Sequence, residues 1–191
     1  MTVELDGENT VQSGLGRAGV EKNDGNSSGN LTITDENETH GSLNATGGEG
    51  GAGIGGGGAG SGSDITISGS AKVTAQGGKD GSGIGGGYKG SGSNITISQD
   101  VQVKAQGGKS KSNSEVVYGA GAAIGNGGKP GYPNSGNLNG AEATPNTDEL
   151  TPNGKIEYYA PDADMKNNDP IKTVTGTYVP PQPTEPEEEA P

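Results

Sequence analysis

Gly60-Ser-Gly-Ser-Asp-Ile-Thr-Ile-Ser68 returns as Gly90-Ser-Gly-Ser-Asn-Ile-Thr-Ile-Ser98, an offset of 30 residues. Two further motifs keep the same step. Gly51-Ala-Gly-Ile-Gly-Gly-Gly57 becomes Gly81-Ser-Gly-Ile-Gly-Gly-Gly87, and Ala75-Gln-Gly-Gly-Lys79 becomes Ala105-Gln-Gly-Gly-Lys109. Three separate motifs in one register define a repeat unit, and repeats of 20–50 residues are the signature of stacked architectures. A late, weaker copy, Gly119-Ala-Gly-Ala-Ala-Ile-Gly125, follows an insertion over Lys111 to Tyr118. Upstream, Leu31-Thr-Ile-Thr34 and Leu43-Asn-Ala45 fit the same template, and Val3-Glu-Leu5, Val11 and Ala18-Gly-Val20 fit it more loosely.

Each unit holds three short strand signals. Ile65-Thr-Ile67 alternates strictly and is β-branched, Val73-Thr-Ala75 alternates likewise, and Ser82-Gly-Ile84 is a small apolar segment. Period-2 alternation turns Ile65, Ile67, Val73, Ala75 and Ile84 inward and leaves Thr66, Ser68, Lys72 and Thr74 outward. Glycine is expected at the corners for its access to positive φ. The expected fold is therefore all-β: a right-handed parallel β-helix, or β-solenoid, of about four coils with three short strands per coil.

Composition agrees. Of 191 residues 40 are Gly, 26% are hydrophobic, and Phe and Trp are absent. Such a chain cannot fill a wide globular core, but a narrow column needs few apolar residues per turn. Composition changes at residue 129: all 11 Pro lie from Pro130 onward, and most Gly lie before Lys129. The expected organisation is a repeat domain over 1–128, an irregular extension with short strands over 129–179 that could cap the stack, and a Pro/Glu-rich linker over 180–191. Gly154-Lys-Ile-Glu-Tyr-Tyr159 and Ile171-Lys-Thr-Val-Thr-Gly-Thr-Tyr178 read as strands. The first residues already read as part of a repeat, and no signal peptide is present.

The net charge of -12 argues against nucleic acid and anionic membranes, and favours neutral glycans or cationic partners. Zero Cys excludes disulfides and thiolate metal sites. No apolar run is long enough for a transmembrane helix.

The repeats resemble a group of surface proteins of Gram-positive gut bacteria, whose units read Gly-Ala-Gly-Ile-Gly-Gly-Gly, Gly-Ser-Asn-Ile-Thr-Ile-Ser and Val-Thr-Ala-x-Gly-Gly. Residues 47 to 108 carry that likeness. They also look like carbohydrate-binding β-helix modules, some of them calcium-dependent. The resemblance implies an extracellular, secreted or cell-wall-associated solenoid beside other surface domains. No ligand-binding residue carries over.

The search for chemistry is sparse. His40, the only His, lies in a polar loop without an orienting partner, as catalysis by His requires. Asp35, Glu36, Glu38, Asp64 and Asp80 are the carboxylates that could pair for glycoside cleavage. None repeats in register, since Asp64 becomes Asn94 and Asp80 becomes Ser110. Arg17 is the only Arg available to neutralise a uronate. Gly53-Ile-Gly55 lacks the βαβ context of a dinucleotide site, and Gly107-Gly-Lys-Ser110 lacks the early Gly of a phosphate loop.

Gly47-Gly-Glu-Gly-Gly-Ala-Gly-Ile54 resembles a calcium nonapeptide, but Ala52 and Ser82 stand where its Asp belongs. An isolated calcium site from Asp24, Asp35, Glu36 and Glu38 stays open; otherwise no cofactor is expected.

The candidate glycan contacts are a hydroxyl ladder and exposed tyrosines. Thr66 and Thr96 should stack outward with Thr32, and Ser68 and Ser98 with Thr34. Tyr88 and Tyr118 sit at a corner and at the close of the insertion, where rings can stack on sugar faces. The plain alternatives are ordinary strand chemistry and packing of the insertion. The expected function is a non-catalytic, adhesin-like or polysaccharide-binding surface module, with a structural spacer as the alternative and a polysaccharide lyase or hydrolase behind it. Polysaccharide or host glycan is the expected partner.

Overall fold

The computed structural model describes residues 1–23, 29–37, 41–110 and 116–181. Three strands form per coil, in the same order each time. The first coil has β1 (Thr2–Glu4), β2 (Glu8–Gln12) and β3 (Val20–Glu21). The second has β4 (Leu31–Thr34), β5 (Ser42–Thr46) and β6 (Ile54–Gly55). The third has β7 (Ile65–Ile67), β8 (Lys72–Gln76) and β9 (Ile84–Gly85). The fourth has β10 (Ile95–Ile97), β11 (Gln102–Gln106) and, after the insertion, β13 (Ile124–Gly125). A two-residue antiparallel pair, β12 (Val117–Tyr118) with β14 (Pro130–Gly131), flanks that last strand.

The strands stack into three parallel faces. The first face has the order β1-β4-β7-β10, and the third has β3-β6-β9-β13. The second face continues β2-β5-β8-β11 into two strands of the C-terminal extension, β15 (Lys155–Tyr159) and β16 (Lys172–Thr175). The protein is a β-solenoid, and no helix occurs among the described residues. The coil count needs a small correction. The repeat strands make each face four rungs deep, but from the first rung to the fourth the path closes only about three turns, because the loosely matching first unit starts the stack rather than adding a full turn.

Register follows the repeat. Ile65 sits on Ile95, Ile54 on Ile84, and Val73 on Val103. Ile33, Ile54, Ile65, Ile67, Ile84, Ile97 and Ile124 are fully buried and form one narrow column with Val73, Val103 and the stacked Ala45, Ala75 and Ala105. Burying one such side chain stabilises by roughly 1.5–3 kcal/mol. Each coil owes this burial to the coils beside it.

The corners depart from the sequence expectation. At Gly51, Gly81 and Gly121 backbone φ is not positive. Closeness of stacking is what demands glycine there. A Cβ on Gly81 would lie 2.0 Å from the Gly51 carbonyl oxygen, and one on Gly121 would lie 1.9 Å from that of Gly81. Positive φ is needed in another column, at Gly55, Gly85 and Gly125, with φ of 129°, 128° and 138°. Asp64 and Asn94 adopt left-handed φ as non-glycines, a conformation that Asx side chains tolerate.

The two ends differ. At the C-terminal end the last repeat strand of each face is covered, which takes up backbone groups that would otherwise template aggregation. On the first face, Asn146 N–H donates to the Ile95 carbonyl, and Ile97 N–H donates to the Asn146 carbonyl. On the second face, β15 pairs in parallel with β11, and β16 closes the sheet antiparallel to β15. On the third face the Glu142 carboxylate accepts the Ala123 and Ile124 N–H groups at 2.8 and 3.1 Å, standing in for the carbonyls of a further strand. Leu150 and Ile156 are fully buried and plug the column. The change of composition at residue 129 therefore falls within one core: strands from beyond it pair with the last coil and add Leu150 and Ile156 to the column. At the other end Val3, Val11 and Val20 are half-buried around a small cavity of about 170 Å³ that Leu5 also lines.

Candidate functional site

The outward side chains of three regular faces are the surfaces on which a ligand could act. On the first face the expected threonine ladder forms: Thr2, Thr32, Thr66 and Thr96 pair in register. Thr66 and Thr96 are half-buried. Two places on, the hydroxyls turn to internal bonding. Ser68 donates to the Thr34 hydroxyl at 3.0 Å, Thr34 donates to Glu36 at 3.0 Å, and Ser98 is buried at 6% exposure. The ladder is thus one column wide, with Ser68 and Ser98 at its margin rather than on a flat double row.

Tyr88 and Tyr118 meet. Their ring centroids lie 5.9 Å apart with planes tilted by 46°, and the Lys89 ammonium sits 5.0 Å from the Tyr88 centroid. With Leu15, Glu49 and Asp80 they line a shallow depression of about 300 Å³ at the third corner. The sequence separates these two rings by the length of a coil, and the insertion carries Tyr118 back onto the corner occupied by Tyr88.

The carboxylates singled out above hold turns. Asp35 is buried, and its Oδ2 accepts the Gly41 N–H at 3.0 Å and the Ser70 hydroxyl at 2.9 Å. Asp64 accepts hydrogen bonds from the Asn94 amide and from the Ser63 hydroxyl, and these, with Lys22 nearby, hold its carboxyl below the usual range. Asp80 is buried at a corner with φ of 65°. Arg17 pairs with Glu21 at 3.0 Å. Asp24, Glu38 and His40 lie outside the described residues. Among the described residues no group of three His, Cys, Asp or Glu side chains is placed to hold a metal ion.

A concavity of about 610 Å³ lies over the second face. Its floor is a grid of outward residues set by the ladder: Lys72, Gln102 and Lys155 in one column, Asn44, Thr74, Lys104 and Glu157 in the next, Thr46, Gln76 and Gln106 in the third. One wall is the turn carrying Ala163, Asp164, Met165 and Lys166. The buried Gln106 fixes that wall, its amide donating to the Ala160 and Ala163 carbonyls at 2.6 and 2.7 Å while its oxygen accepts from Gln76 at 3.0 Å. Asp164 braces the turn by accepting the Lys166 N–H at 2.9 Å and the Asn167 amide at 2.6 Å; these bonds keep its carboxyl below the usual range. Sequence reading missed this groove. Its middle two rungs were visible as the outward positions of the repeated Lys72-Val-Thr-Ala-Gln76 and Gln102-Val-Lys-Ala-Gln106, but nothing in the repeat announces that Lys155 and Glu157 extend the same columns.

The fold defines a β-solenoid class of protein. Compared with family models, with curated proteins and with solved structures, the chain matches none of them. No helix among the described residues is long and apolar enough to cross a membrane, which leaves β-barrel spans unaddressed.

Proposed function

We propose that this chain is a non-catalytic, extracellular module that binds a polysaccharide along the second face of its solenoid. The groove of about 610 Å³ across successive rungs carries the reading. Its floor offers hydroxyl, amide and ammonium groups repeated at the strand spacing of about 4.8 Å, which suits an extended polymer better than a compact small molecule. Tight small-molecule sites need enclosing apolar walls around convergent polar groups, whereas this floor spreads its polar groups over successive rungs. Several shallow contacts acting together raise avidity without any one being strong. The Tyr88–Tyr118 pair supplies a second, aromatic contact of the kind that stacks on sugar faces. The resemblance of residues 47 to 108 to bacterial surface repeats supports an adhesin-like setting at the cell surface.

Calorimetry against a panel of plant and mucin polysaccharides, neutral and acidic, tests the proposal. Binding should strengthen with chain length and should fall when Thr74→Trp fills the groove. Silence across the panel would favour a structural spacer, and turnover of any member would show an enzyme instead.

A further inference from the structure

The chain carries 12 basic against 24 acidic side chains, so an average patch of its surface is negative. The groove over the second face reverses that balance. Lys72, Lys104, Lys155 and Lys166 line it, against two carboxylates, Glu157 and Asp164. Both carboxylates are engaged in building the site. Glu157 is paired with Lys155 at 3.0 Å and lies 3.9 Å from Lys104, so one acid holds two ammonium groups over the floor. Asp164 is taken up by its own turn. Lys72 and Lys166 are exposed and make no ion pair among the described residues.

The ladder sets the spacing of the charges. Lys72 on β8 and Lys155 on β15 share a column two rungs apart, and Lys104 on β11 lies between them in the next column. At one strand spacing per rung, Lys72 and Lys155 are rooted about 10 Å apart along the solenoid axis. Gln76, Gln102 and Thr74 fill the places between with neutral donors and acceptors. A row of fixed cations alternating with hydroxyl-binding groups matches a polymer that alternates carboxylates with hydroxyls.

We propose that the groove takes an acidic, uronate-bearing polysaccharide lying along the solenoid axis, its carboxylates on Lys72, Lys104 and Lys155 and its hydroxyls on Thr74, Gln76 and Gln102. The inference rests on the binding reading above and names its ligand. It also reverses, for this face alone, the preference for neutral glycans that the net charge suggests. Nucleic acid fits less well. Its recognition as a single strand relies on exposed aromatic platforms, and the only tyrosine beside this floor, Tyr159, is buried.

The test uses the full chain with three probes under chelator: oligogalacturonate, the same oligomer fully methyl-esterified, and single-stranded DNA of similar length. Oligogalacturonate should bind, weaken with added salt, and lose at least about tenfold in affinity on esterification. Lys72→Glu combined with Lys166→Glu should weaken it by roughly tenfold, each exposed ion pair being worth a few-fold. Lys109→Glu, a charge reversal outside the groove, should leave it unaltered. Circular dichroism confirms that each variant is folded.

Equal binding of the methyl ester would overturn the acidic assignment while sparing the polysaccharide reading. An equal effect of Lys109→Glu would show diffuse attraction and no groove site, and DNA binding as tight as the oligogalacturonate would show a general polyanion surface; either overturns the proposal. Silence with both galacturonans would overturn this assignment and leave the polysaccharide reading to the wider panel.

Discussion

Replacing Ile67 by Ala tests whether the column is what holds the coils together. Ile67 is fully buried on β7, with Ile33 below it and Ile97 above. The change removes three carbons, about 2.4 kcal/mol of transfer free energy at ~0.8 kcal/mol each. A cavity term adds to this. Ladder hydrogen bonds on both sides fix the distance between rungs, so the neighbours cannot close the gap, and the total should reach about 4 kcal/mol, toward the upper end for such truncations. Val3→Ala, at the half-buried open end, should lose only about 1 kcal/mol, because fewer carbons leave a partly wet site. For a chain of this size the Ile67 variant should melt roughly 8–16 °C below the parent. Urea and thermal unfolding followed by circular dichroism measure both variants side by side. If Ile67→Ala is no worse than Val3→Ala, the coils are held by backbone hydrogen bonds alone and the column argument fails.

The corner geometry makes a sharper contrast. Gly81→Ala places a Cβ 2.0 Å from a backbone oxygen that cannot step aside, and should destabilise by about 3 kcal/mol, while Gly136→Ala, with nothing within 4 Å, should stay within about 0.5 kcal/mol by the same unfolding measurement. Burial, followed by the nearby Glu142 charge, pushes the Tyr158 hydroxyl up to about 12 from its ordinary value of 10.0. Its neutral form is favoured in the fold, so its contribution is complete below pH 10 and is lost as pH rises toward 12; Tyr158→Phe should flatten the fall in stability across that window, and a parent and variant that lose stability in parallel would contradict it. Calcium should shift the melting temperature little, because the Asp35 carboxylate is engaged by Gly41 and Ser70. Asp35→Asn should destabilise equally with calcium or chelator, and a large chelator-sensitive shift in the parent would reveal a site.

Strand positions and register were legible because two independent signals agree at them. Ile65 and Ile67 alternate within a strand and return 30 residues later, so one reading fixes both the inward face and the neighbour on the next rung. The glycines were read correctly as corners but for an incomplete reason: a string of letters shows that a side chain is missing, and cannot show that the Gly51 carbonyl fills its place above Gly81. The cap was harder still. β15 enters the stack 53 positions after β11 with unrelated residues, Lys155-Ile-Glu-Tyr-Tyr159, and the role of Glu142 depends on two N–H groups at the rim of another strand. The Thr66–Thr96 ladder was readable from the repeat alone. The burial of Ser98 was not, since its exact copy Ser68 lies under a different neighbour: the cap covers one and another coil the other.

The in-register stack has a consequence for how such a molecule can change size. Residues 61–90 comprise one complete layer, with β7, β8 and β9. Excising them would join Gly60 to Ser91, and Thr32 would meet Thr96, Leu43 would meet Val103, and Ile54 would meet Ile124, each pairing like with like. The lid, built only on the last layer, would not register the loss. Height is therefore adjustable in whole steps of about 4.8 Å, with the chemistry of each face sampled more or fewer times and the terminus left intact: a gauge whose graduations are thirty residues long.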